Sequence, residues 1–125
     1  MRYLINTLLL VLCGQLYGQD FIYSKDFNKI NSLNKPFVIE FWAEFNDKNK
    51  WMELSNIKQC GVYRTCIVAN KDLADKYNVK VLPTIIVFNN REEVCRWEGN
   101  LMFELNLNKK EVQTIIDSII IDKYR

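Results

Sequence analysis

The chain has 125 residues, 49% of them hydrophobic and 26% charged, with a formal net charge of +2. That length and balance favour one globular domain with an apolar core over disorder. With 17 basic against 15 acidic residues and no basic run interleaved with aromatics, strong attraction to nucleic acid or to an anionic membrane is excluded.

Residues 1–19 read MRYLINTLLLVLCGQLYGQ: one early charge at Arg2, an apolar stretch from Leu4 to Leu12, then small and polar residues. This is the pattern of a secretory signal peptide, and the stretch is short for a membrane-spanning helix. Cleavage is expected near Gly18 or Gln19. That leaves residues 20–125 as a mature domain exported to the periplasm or the extracellular space, without a membrane partner after cleavage. An uncleaved anchor is the competing reading. Lipid attachment at Cys13 is disfavoured by Leu12, which stands where a small residue is wanted. Cys60, Cys66 and Cys95 remain after cleavage, an odd number that implies no framework of disulfides.

In chain order, FIYS (21–24) suits a short strand. KDFNKINSLN (25–34) carries Phe27, Ile30 and Leu33 at helical spacing and ends at Asn34-Lys35-Pro36. PFVIEFWA (36–43) is apolar nearly throughout, as expected of a central strand buried on both faces. A helix is predicted from about Asp47 to Lys58, with Trp51, Leu54 and Ile57 as its stripe and Asn46 or Asp47 as its cap. VYRTCIVA (62–69) reads as a second buried strand and KDLADKYN (71–78) as a short helix. A strand starts at or just after Pro83, and Asn89-Asn90 turns it into a partner strand, EEVCRWEG. Val112, Ile115, Ile116, Ile119 and Ile120 then mark a terminal amphipathic helix, opened by a capping pattern at Asn108 and Glu111. The order β-α-β-α-β-α-β-β-α describes an α/β domain, a mixed β-sheet flanked by helices.

Three local patterns in this order resemble the thioredoxin family: FVIEFWAEF before a polar helix start, KYNVKVLPT before the strand IIVF, and WEGNL before the final helix. The resemblance spans about residues 25–122 and implies a thioredoxin-like fold. In that family the strand-to-helix corner carries a W-C-x-x-C motif, whose first cysteine is held as a thiolate at the helix N-terminus and whose second resolves the mixed disulfide. Matched residue by residue, Trp42 takes the tryptophan position and Phe45 that of a second one. The two cysteine positions fall on Asn46 and Asn49, with Asp47 and Lys48 between them. An amide neither attacks a disulfide nor carries electrons, so the resemblance stops short of redox catalysis and no catalytic residue is expected here.

The resemblance further implies that Pro83 is the cis-proline facing this corner. The backbone of Leu82 is then the edge that pairs with an extended substrate segment, and Gly99 lies where a missing side chain admits a partner. The plainer alternatives are a trans proline opening a strand and a simple turn glycine. Glu40 matches a buried acid of the family and Arg64 a basic residue on the neighbouring strand, which implies an ion pair. An acid at the solvated end of the strand is the alternative.

Cys60 and Cys66 are separated by roughly 13 Å of strand if Cys66 lies mid-strand, beyond the reach of a disulfide of about 7 Å. Cys66 is more simply a small core residue and Cys95 an edge-strand thiol. There is no histidine, no C-x-x-C and no glycine-rich phosphate loop, so no metal, cofactor or triad hydrolysis is expected. The favoured reading is a module that binds an extended peptide or another protein through Trp42, Phe45, Asn46, Asp47, Lys48, Asn49, Leu82, Pro83 and Gly99. An atypical oxidoreductase using Cys60, Cys66 or Cys95, and a structural subunit of an envelope or surface assembly, are the competing readings.

Overall fold

The computed structural model describes residues 20–124, and the expected signal segment lies outside the described residues. Five strands form one sheet in the order β1-β3-β2-β4-β5. They are β1 (Asp20–Phe21), β2 (Phe37–Trp42), β3 (Gly61–Cys66), β4 (Thr84–Asn89) and β5 (Glu92–Glu98). The helices are α1 (Ser24–Ser32), α2 (Lys71–Lys76) and α3 (Lys109–Lys123). β3 runs parallel to both β1 and β2, whereas β4 is antiparallel to β2 and to β5. The β4–β5 hairpin turns at Asn90 and Arg91, both with positive φ (52° and 67°), the twist a tight hairpin requires.

Period-two alternation along β2 and β4 splits the core between the two faces of the sheet. Phe37, Ile39 and Phe41 of β2, with Ile86 and Phe88 of β4, meet Phe27 of α1 and Leu73 and Ala74 of α2. On the other face Val38, Ile85 and Val87 meet Trp51, Leu54 and Ile57, together with Val112 and Ile116 of α3. The N-terminus of α3 takes the Asn108 half of the predicted cap, with the Asn108 side chain accepting from the Lys110 N–H at 2.9 Å, and the reciprocal Glu111 bond is not formed.

The segment predicted as a helix from Asp47 to Lys58 is not α-helical. It forms two 3₁₀ turns, Glu44–Asn49 and Leu54–Asn56, the first broken by non-helical geometry at Asn46 (φ −111°, ψ 23°). Its stripe is buried all the same, with Trp51, Leu54 and Ile57 each 5% exposed or less. Asn46, Asp47, Asn49, Ser55 and Asn56 supply side chains that compete with the backbone for hydrogen bonds, which disfavours a helix interior.

A buried ion pair takes the place of helical bonding. Glu40 is fully buried on β2, opposite Arg64 in the β2–β3 register. Arg64 Nε and Nη2 each lie 2.9 Å from Glu40 Oε1. Glu40 Oε2 accepts from the Trp51 N–H at 2.9 Å, and Arg64 Nη2 donates to the Trp51 carbonyl at 3.1 Å. Both main-chain groups of Trp51 are therefore satisfied by the pair, and its indole Nε1 donates to the Leu107 carbonyl at 3.2 Å.

Candidate functional site

The site lies where β2 ends and the chain turns into the first 3₁₀ segment. Residue 43, an alanine, holds the N-cap position there and makes no side-chain cap. The expected cap at Asn46 or Asp47 is thus not formed. Asn46, 5% exposed, points elsewhere: its Nδ2 donates to the Phe103 carbonyl at 3.1 Å, and its Oδ1 accepts from Asn49 Nδ2 at 3.0 Å. The side chains of Asn46 and Asn49 thus touch each other. Their contact fixes the Asn46 carboxamide so that its remaining group is a donor aimed at the loop after β5.

That loop lies against the corner. Phe45 is 67% exposed and meets the ring of Phe103 edge to face, centroids 5.6 Å apart. A depression of about 390 Å³ is lined by Phe45, Asn46, Lys48 and Asn49 on one side and by Met102, Phe103 and Glu104 on the other. Asp47 is exposed and pairs with Lys50 at 3.4 Å.

Trp42, Leu82, Pro83 and Gly99 do not line this depression. Trp42 is half-buried, packs edge to face on Phe21 with centroids 5.5 Å apart, and keeps a buried indole N–H without a hydrogen-bond partner. The Leu82–Pro83 peptide bond is cis. Leu82 is only 3% exposed, and no backbone hydrogen bond among the described residues uses its N–H or C=O. Gly99 donates its N–H to the Pro83 carbonyl at 2.8 Å. A Cβ at position 99 would stand 2.9 Å from the Leu82 carbonyl carbon and 3.0 Å from Pro83 Cδ, closer still to the Leu82 oxygen. The absent side chain therefore admits this chain's own backbone, a different use from the open surface expected of it.

The three cysteines among the described residues, Cys60, Cys66 and Cys95, are free. Cys60 precedes β3 and Cys66 ends it, so the strand separates them by about 20 Å, well beyond disulfide reach. Cys66 is not mid-strand in the core, as expected, but half-buried at the end of β3, in register with Trp42. Burial, with Asp117 nearby, pushes the Cys60 thiol up to about 12. Burial likewise raises the Glu40 carboxyl above its ordinary value, against the opposing pull of Arg64 and the Trp51 N–H. No group of three or more potential metal ligands occurs among the described residues, and none of their helices is long and apolar enough to cross a membrane.

No family model matches the chain, and neither does any curated protein. Among solved structures it is similar to a point mutant of the thioredoxin from Halobacterium salinarum NRC-1. The two share 18% identity over 80% of this chain and 88% of that one, with a TM-score of 0.63. The fold is thioredoxin-like. Asn46 and Asn49 stand at the corner after β2 of this sheet. Sequence reasoning missed Met102, Phe103 and Glu104. Their signal was the apolar run Leu101-Met102-Phe103, which lies outside every predicted element.

Proposed function

We propose that this chain is an exported thioredoxin-like protein without a redox dithiol, acting as a peptide- or protein-binding module at the β2 corner. One observation carries the reading: an exposed aromatic pair, Phe45 and Phe103, flanks two asparagines in mutual contact at the corner after β2. Leu101 and Met102, 92% and 71% exposed, extend the apolar surface there. The Asn46 carboxamide offers a hydrogen-bond donor and no electron-carrying group. Burial pushes the Cys60 thiol up to about 12, which makes that one cysteine a poor nucleophile for the competing oxidoreductase reading.

A photo-crosslinking residue at position 45, introduced in the native host, is expected to capture a defined partner. The same residue at Ile121, exposed on α3, serves as control. Equal capture from both positions would count against the corner. Insulin reduction by the wild-type protein that disappears in a Cys60/Cys66/Cys95-free variant would establish the oxidoreductase instead.

A further inference from the structure

We infer that the loop from Asn100 to Glu104 is an intramolecular occupant of the corner site. The ligand it stands in for is a polypeptide segment offering an aromatic side chain and a free backbone carbonyl. This rests on the binding-module reading above and specifies both its partner class and its regulation.

The loop is anchored at both ends. It leaves the sheet at Gly99, packed on Leu82 and Pro83, and it meets the corner where the Phe103 carbonyl accepts from Asn46. It is internally closed. The Asn100 N–H donates to the Glu104 carbonyl at 2.8 Å and the Phe103 N–H to the Asn100 carbonyl at 3.0 Å. Asn100 Oδ1 accepts from the N–H groups of Met102 and Glu104 at 2.9 and 3.0 Å. A loop retained for packing would bury its apolar side chains, yet Leu101 and Met102 stay in solvent. Phe103 is instead held at φ 59°, a strained conformation for a bulky residue. What it gains there is the Asn46 hydrogen bond and the Phe45 ring, both contacts that a separate polypeptide can make.

The chemistry of the contact defines the ligand. With its Oδ1 engaged by Asn49, Asn46 offers a donor, which selects a carbonyl. The exposed ring of Phe45 selects an aromatic edge. Lys48 has no ion-pair partner among the described residues, and the loop places Glu104 in the same depression, so an acidic residue after the aromatic one is favoured. A ligand must displace the loop, and its apparent affinity falls by the fraction of molecules in which the site is open.

The test uses the full chain and, as probe, a labelled and end-capped peptide copying residues 100–106. Phe103→Gly removes the occupying ring and relieves the backbone, because glycine accepts positive φ. This variant is expected to bind the peptide at least about tenfold more tightly than wild type. Binding should shift the NMR signal of the Asn46 carboxamide and vanish when the peptide's phenylalanine is replaced by alanine. Asn100→Ala loosens the loop from within and must move the affinity in the same direction, whether or not Phe103→Gly folds well. Equal affinities for wild type and variants, no binding to any of them, or binding that leaves Asn46 unmoved overturns the inference. Should position 45 still capture a partner in that case, the binding module stands with an ordinary loop beside it. Should the peptide bind as expected while position 45 captures nothing, the loop inference stands and the module reading fails.

Discussion

Helix α1 and the segment from Glu44 to Ile57 carry the same apolar pattern, and only one of them is a helix. Phe27, Ile30 and Leu33 recur every three residues, as do Trp51, Leu54 and Ile57. In α1 the spacing buries Phe27, while Leu33 stays 51% exposed just past the helix end. In the irregular segment all three residues are buried. A repeat of three matches the 3₁₀ turn as closely as it approximates the α-helix, and without added i+4 partners it does not choose between them. What separates the two regions is the supply of hydrogen bonds. α1 satisfies its own backbone, whereas the irregular segment has its Trp51 backbone satisfied by Glu40 and Arg64 from the strands beneath.

The largest effects come from removing one region's support and comparing it with the other. Arg64→Ala is expected to cost about 3–5 kcal/mol in urea unfolding, because it leaves the buried Glu40 carboxylate with no counter-charge, held by the Trp51 N–H alone, and the Trp51 carbonyl without its donor. Phe27→Ala on the opposite face should cost a similar 3–5 kcal/mol through lost packing alone. The two losses differ in how they are repaired. Glu40→Met/Arg64→Met should recover part of the ion-pair loss, since no charge is stranded. The recovery stays incomplete because the Trp51 N–H and C=O remain unpaired. Full recovery would mean that the pair does not support the segment.

A smaller effect tests a terminus that is satisfied locally. Asn108→Ala removes the side-chain cap of α3 and should cost about 1 kcal/mol, read as a lower urea midpoint at unchanged m-value. A loss as large as that for Arg64→Ala would show that local and tertiary hydrogen bonding matter equally here.

The last test is a slope with pH rather than a step. Burial raises the folded-state pKa of Glu40 above its unfolded value. Its contribution to stability is thus fully present below the ordinary glutamate pKa of about 4.3 and is lost as pH rises through the raised value. The stability of wild type relative to Glu40→Gln should therefore decline from pH 4 upward. A relative stability that climbs over that range would show that attraction to Arg64 outweighs desolvation.

The contrast between these regions also marks what was legible beforehand. β2 and β4 announce themselves as apolar runs, and the cap and stripe of α3 are local features whose physics needs no distant partner. Glu40 and Arg64 could be matched as a pair by resemblance, but their attachment to Trp51 joins residues 11 and 13 positions apart in sequence. Asn46 was read as a cap, and the structure gives it a different partner. A capping asparagine and one that donates across 57 residues to Phe103 are spelled alike.

The sequence by itself determined the alternation that builds a two-faced sheet, the terminal helix, and the absence of cysteine at the corner after β2, because periodicity and side-chain chemistry are local properties. The tertiary structure alone decided that the segment after β2 is not an α-helix, that Gly99 makes room for Leu82, and that the loop at Phe103 lies against Asn46. Each of those outcomes depends on which distant backbone groups meet, and a hydrogen bond carries no trace in sequence of the partner it will find.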